Sequence, residues 1–240
     1  MVLVSGNRMG GSDTHITSKV RPGKTIDVEV DMVSPAANDT YTGNWKLKSK
    51  TEKFGDGGAP FKAVIRVVAS AHGTIYNFAN HFCTALWKSS RTQNYLHCPG
   101  KIGTNIGYVV KINSPHMENG EFSQPGILTH PPFTDGGVIW GTFPALIIQP
   151  GDRFVTEIAC LHNYQHCNVE FDLYYQIYDS SEKVSLGHWI EAYDGSTTNV
   201  DIDLSFLASQ YVALIFKVTG YGNHTSDNAA FWYMPRIHRP

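Results

Sequence analysis

Apolar and polar positions along this chain alternate far more often than they recur at helical spacing. Residues 25–32 are the clearest case. Ile26, Val28, Val30 and Met32 fall on one face, and Asp27, Glu29 and Asp31 on the other, the period of a half-buried strand. Residues 44–48 repeat it, with Trp45 and Leu47 inward. Further strands are predicted at 1–4, 63–68, 108–112, 137–143, 145–148, 153–161, 167–178, 186–193, 200–204, 211–219 and 229–234. Turn signals separate them, among them Pro22-Gly23, Asn38-Asp39, Pro99-Gly100, Asn119-Gly120, Pro150-Gly151 and Asp194-Gly195. The one helix-like piece is 204–209, a single turn that Asp203 is placed to cap. Short strands at this spacing predict an all-β chain of sandwich or barrel type.

The character of the chain changes near residue 70, where a strand ends in Ala69-Ser-Ala-His-Gly and a cysteine-bearing, tryptophan-bearing part begins. Two domains are expected, 1–70 and 74–240. The second has the length of one sandwich; the first falls short of the roughly 100 residues that are usual. The N-terminus runs straight into a strand, with no basic region and apolar core of a secretory leader. That opening predicts a fragment of a longer chain, with its targeting signal upstream.

Composition narrows the classes. Hydrophobic residues make up 42% and charged residues 17% of the 240. Such a chain can bury a core, which excludes wholesale disorder. A net charge of −2 from 19 basic and 21 acidic residues argues against a nucleic-acid partner held by a basic face. No apolar run reaches the roughly 18 residues that would span a bilayer. Four cysteines, none in a Cys-x-x-Cys pair, bracket two short stretches. They predict the bridges Cys83–Cys98 and Cys160–Cys167, and with them an oxidising, extracellular or cell-surface setting.

Two resemblances add to this reading. Val4-Ser-Gly-Asn-Arg-Met-Gly-Gly, Pro22-Gly-Lys-Thr-Ile-Asp-Val-Glu-Val, Ser34-Pro, Thr40-Tyr-Thr-Gly-Asn-Trp-Lys-Leu and Phe54-Gly resemble the C-terminal part of the four-tryptophan domain. That domain is an immunoglobulin-like sandwich found in a selective-autophagy receptor and in many bacterial surface chains. Trp45 is the one signature tryptophan carried over, and the family's role implies protein–protein recognition. Phe82-Cys-Thr-Ala-Leu-Trp, His97-Cys-Pro-Gly, Gln124-Pro-Gly-Ile-Leu-Thr, Gly141-Thr-Phe-Pro, Pro150-Gly-Asp-Arg-Phe, Tyr193-Asp-Gly and Phe231-Trp-Tyr-Met-Pro-Arg-Ile are similar to a β module that follows such domains in bacterial chains. The tail from Val200 to Trp232 also resembles galactose-binding-like jelly rolls, which implies carbohydrate association. The expected architecture is an incomplete immunoglobulin-like sandwich followed by a disulfide-stapled jelly-roll-like sandwich.

Candidate chemistry is sparse. No Gly-x-Ser-x-Gly, His-Glu-x-x-His or phosphate-binding loop is present. The run from Cys160 to Cys167 holds His162 and His166 between its cysteines. Its spacing matches no zinc pattern, and a cross-strand disulfide explains it more simply, with both histidines as turn residues. Glu157, Glu170, Asp172 and Glu191 lie on predicted strands. A glycosidase would need a pair of them close together, but solvent-facing positions are the preferred reading. Asp201, Asp203 and Asp227 could ligate calcium, yet turn and cap hydrogen bonding is preferred. Lys46, Lys48, Lys50 and Lys53 form a basic strand face that would protect an edge. Asn38 and Asn223 head glycosylation sequons.

Aromatic residues carry the functional expectation, because sugar rings stack their C–H faces on indole and phenol rings. Trp87, Trp189, Tyr193 and Asp194 are the expected ligand-binding set, with Trp87 exposed beside the Cys83–Cys98 loop and Trp140 and Trp232 in the core. The chain is expected to be a non-catalytic recognition module without metal or cofactor. Its expected partner is carbohydrate, with a protein partner or a spacer role as the alternative and a glycoside hydrolase less favoured.

Overall fold

The structure is a computed structural model, and it describes residues 1–16, 19–33, 39–48, 59–67 and 72–240. Ser34-Pro35, Asn38, Lys50, Lys53, Phe54-Gly55 and the expected boundary at residue 70 lie outside the described residues. The chain divides into two compact units, Met1–Ser70 and Ala71–Pro240. It is all-β. Among the described residues no helix is long and apolar enough to cross a membrane.

The described residues of unit 1 form a three-stranded antiparallel sheet, β1 (Val2–Gly6), β2 (Asp39–Lys46) and β3 (Phe61–Val67), with β2 in the middle. Trp45 is buried on one face and stands opposite Phe61. Residues 25–32 depart from expectation. Ile26 is exposed, burial alternates with period two only from Asp27 onward, and the segment pairs with no strand among the described residues. Alternation specifies two faces of a segment; a ladder needs a neighbouring backbone as well.

Unit 2 is a sandwich of two antiparallel sheets. Its strands are β4 (Gly73–Asn77), β5 (Leu86–Ser89), β6 (Tyr108–Ile112), β7 (His116–Met117), β8 (Gly120–Glu121), β9 (Gly126–His130), β10 (Gly137–Thr142), β11 (Leu146–Ile147), β12 (Arg153–Cys160), β13 (Asn168–Ile177), β14 (Val184–Ala192), β15 (Thr198–Asp203), β16 (Tyr211–Gly220) and β17 (Ala230–Arg239). One sheet runs β14-β13-β16-β10-β5, with β11 added on β16. The other runs β15-β12-β17-β9-β6, with β4 added on β17. β7 and β8 form a small hairpin of their own.

Alternation decides what lies between the sheets. Val169, Phe171 and Leu173 of β13, Phe216 and Val218 of β16, Ile139 of β10 and Trp87 of β5 face Phe154 and Ile158 of β12, Trp232 of β17 and Ile127 of β9 in one core. Phe171 meets Trp232 edge to face, ring centroids 4.8 Å apart, a favourable aromatic geometry. Trp87 fits because its cross-strand partner is Gly141. A β-carbon at 141 would lie 2.6 Å from the Trp87 ring. Gly141→Ala is therefore expected to cost about 1–3 kcal/mol by overpacking, measured as a lower urea midpoint with an unchanged slope.

Both expected disulfides are present, Cys83–Cys98 and Cys160–Cys167. The second closes the turn between β12 and β13, with His162 and His166 in the turn. Near it, one Glu118 carboxylate accepts the backbone N–H groups of Cys160 (2.8 Å), Asp194 (2.7 Å) and Gly195 (3.0 Å). It ties the small hairpin to the β14–β15 turn. The predicted helical turn is a 3-10 turn over Ser205–Leu207, and Asp203 accepts the Ser205 N–H at 2.8 Å. Arg153 pairs with Asp201 at 2.7 Å and reaches Asp203 at 3.9 Å, while Asp227 pairs with His166 in another loop. The three aspartates do not converge.

Candidate functional site

The expected ligand-binding set is not one surface. Trp87 is 1% exposed, and its indole N–H donates to the Phe82 carbonyl at 2.7 Å. The expectation of an exposed Trp87 is corrected: β5 turns this side chain inward over Gly141, and the polar loop beside it does not decide its face. Trp189 and Trp87 lie on strands at opposite edges of the same sheet. Trp189 stands opposite Phe171, half-buried against the core with its ring over Gly187. Tyr193 also packs on the core, its hydroxyl 3.3 Å from His162 Nδ1. Asp194 is exposed, but its carboxylate accepts the Ser196 N–H at 2.8 Å and shapes a turn.

The outer face of the β14-β13-β16-β10-β5 sheet is more informative. Since Val169, Phe171 and Leu173 point into the core, Glu170, Asp172 and Tyr174 point out. Register then fixes a row across the sheet. His188 pairs with Asp172, Asp172 with Lys217, Lys217 with Trp140 and Trp140 with Lys88. Directly opposed residues share a face, so these five side chains stand in line. Four strand spacings of about 4.8 Å make the row roughly 19 Å long. Trp140 was expected in the core. It is half-buried on this outer face, because Ile139 and Gly141 take the inward positions.

The row is held by charge. Asp172 accepts from Lys217 Nζ at 2.8 Å and lies 2.9 Å from His188 Nδ1. Burial acts to raise its pKa, but the hydrogen bonds and charges of Lys217 and His188 prevail and hold it below the ordinary carboxylate range. Burial likewise opposes the charge on Lys217, and Asp172 outweighs it, so the ammonium pKa rises. Glu170 accepts from the Tyr221 hydroxyl at 2.8 Å, which pushes that phenol up. Tyr95 lies over Lys88, ring centroid 4.7 Å from Nζ. Glu170, Asp172 and His188 offer ligand atoms within 4.8 Å of one another, a set that could meet a cation. Lys217 already neutralises Asp172, which counts against that use.

Two expectations about carboxylates change here. The expectation that Asp172 and Glu191 face solvent is corrected, since both are buried. Glu191 stands opposite Val169 on the inner side of β14, where the Thr198 hydroxyl donates to it at 3.0 Å. Burial raises its pKa from 4.5 to about 7, and the nearby Glu118 and Asp194 charges add to the rise. A glycosidase acid also has a raised pKa, but Glu191 faces the core rather than the row. Thr197 and Asn119 hold Glu157.

A family model for the immunoglobulin-like domain from next to the BRCA1 gene matches residues 1–67. No curated protein matches the chain. Solved structures that it resembles include a carbohydrate-binding module of the β-sandwich superfamily, at TM-score 0.39 and 12% identity over 87% of this chain and 77% of that one. TmCBM61 in complex with β-1,4-galactotriose is similar at TM-score 0.40 and 11% identity, over 64% and 88%. The module CBM51 from Clostridium perfringens GH95 in complex with methyl-galactose is similar at TM-score 0.41 and 15% identity, over 56% and 90%.

Proposed function

We propose that unit 2 is an extracellular, non-catalytic recognition module that binds carbohydrate on the outer face of its β14-β13-β16-β10-β5 sheet. The observation that carries this reading is the row His188, Asp172, Lys217, Trp140, Lys88. Trp140 offers a ring for the C–H face of a sugar, and the flanking carboxylates, imidazole and ammonium groups offer both donors and acceptors to its hydroxyls. The polar groups are already fixed by one another, so little side-chain freedom is lost on binding. Two disulfides suit an oxidising compartment.

A glycan array tests the reading. Wild type is expected to bind one glycan class, with Trp140→Ala weakening that binding at least tenfold and Trp189→Ala leaving it within twofold. Release of reducing ends from the bound glycan would contradict the non-catalytic part.

A protein partner is the second reading. Tyr178, Tyr211 and Phe206, 67%, 54% and 61% exposed, are large aromatics near the Tyr211 end of β16. Tyr178 and Tyr211 line a depression of about 360 Å³ with Ala145. Binding that survives Trp140→Ala and is lost in Tyr178→Ala/Tyr211→Ala would favour it.

A further inference from the structure

Unit 1 carries a segment with the pattern of a strand that pairs with no strand among the described residues. From Asp27 to Val33, exposed and half-buried residues alternate without a break. Val28, Val30 and Met32 turn toward the sheet and, with Trp45, Phe61 and Ala63, line a cavity of about 210 Å³. Asp27, Glu29 and Asp31 turn to solvent. Val33 donates its N–H to the Met9 carbonyl at 2.7 Å, which anchors the end of the segment. Across residues 25–32 no backbone hydrogen bond is made among the described residues.

The layer below is incompletely covered. Phe61 stands opposite Trp45, so the two share a face. Trp45 is 2% exposed and Phe61 is 61% exposed. The cavity lies between this phenylalanine and the lone segment. Trp45, on its wall, holds a buried indole N–H with no acceptor among the described residues, whereas buried indole N–H groups usually find one. An extended backbone with free N–H and C=O groups, beside an uncovered apolar surface, is a template for strand addition.

We propose that residues 25–32 accept an added β-strand from a partner polypeptide in which apolar residues alternate with Lys or Arg. Charge chooses the occupant. In an added strand, side chains opposite Asp27, Glu29 and Asp31 share their face, and opposite charges there stabilise a pair while like charges destabilise it. A second copy pairing through this same segment would place acids against acids in the registers that overlap the three acids and keep the apolar faces together. A basic alternating strand instead neutralises three carboxylates while its apolar residues cover the Phe61 side of the cavity. The segment belongs to unit 1, and the proposal does not depend on the glycan reading of unit 2.

The test uses the full chain and three monomeric peptides flanked by proline: Lys-Val-Lys-Ile-Lys-Val-Lys, its Glu-for-Lys counterpart and a scrambled basic peptide of the same composition. The basic alternating peptide is expected to bind at least tenfold tighter than either other peptide, and to slow amide hydrogen exchange across residues 25–32. The variant Asp27→Lys/Glu29→Lys/Asp31→Lys, changed only at exposed positions, is expected to reverse the preference toward the acidic peptide. Its thermal unfolding, compared with wild type, confirms that it folds. Equal binding of the scrambled peptide, protection outside residues 25–32 or no binding by any peptide would overturn the proposal. So would concentration-dependent protection of 25–32 without peptide, which would assign the edge to a second copy.

Discussion

Asp152→Ala is expected to destabilise unit 2 by about 3–5 kcal/mol, the loss typical of breaking a buried ion pair from one side. The Asp152 side chain is 1% exposed and that of Arg239 8%. The carboxylate accepts from Arg239 Nε and Nη2, both at 2.8 Å, and from the Gln149 N–H at 2.8 Å. The Asp152 carbonyl also accepts the Leu204 N–H at 2.8 Å. One residue thus joins the β11–β12 turn, the end of the last strand and the 3-10 segment. Alanine removes the Asp152 carboxylate from this buried ion pair. Asp152→Asn, which retains an acceptor for Gln149, is expected to lose less. Urea unfolding checks both, and a loss under 1 kcal/mol for Asp152→Ala would show that the pair is not anchoring β17.

The second large effect is a pH dependence centred on Glu191. Its folded pKa is about 7 against an ordinary 4.5. Above pH 7 the folded chain holds a buried carboxylate that the unfolded chain ionises more easily, which is destabilising. As pH falls below 7 the folded carboxyl takes up its proton and the penalty shrinks; below 4.5 it is gone. A shift of this size corresponds to roughly 2–3 kcal/mol between pH 8 and pH 5. Glu191→Gln is therefore expected to stabilise unit 2 by about that amount at pH 8 and by under 1 kcal/mol at pH 5. Amide in place of carboxyl keeps an acceptor for Thr198. Equal stabilisation at both pH values would mean that packing, and not ionisation, sets the difference.

Much of the strand set is legible in the residues, and the failures have distinct causes. β6, β12, β13 and β16 lie close to their expected bounds because their inward positions alternate. β9 escaped notice because Gly126–His130 is buried on both faces, so it shows no period to read. β5 hides in a cysteine-flanked polar stretch. Residues 25–32 show the converse: a faultless period in the sequence with no partner strand among the described residues.

The site is less legible, because it is assembled by register. Trp140, Asp172, His188 and Lys217 come from four strands, and nothing in their local sequences says that they align. Trp189 of β14, and Tyr193 just beyond its end, fall on the inner side, and one residue of parity separates that side from the face carrying His188. A strand-by-strand assignment of inward positions would have put Trp140 outside, since Ile139 is the better core residue and Gly141 makes room for Trp87.

Glycan binding on the outer face of this sheet is best followed through the five indole N–H signals by NMR, while a glycan selected on the array is titrated in. A saturable shift of the Trp140 signal is expected, with those of Trp87 and Trp232 unmoved because both are buried between the sheets. Saturable binding that leaves Trp140 still and instead perturbs residues around Tyr178 and Tyr211 would contradict it.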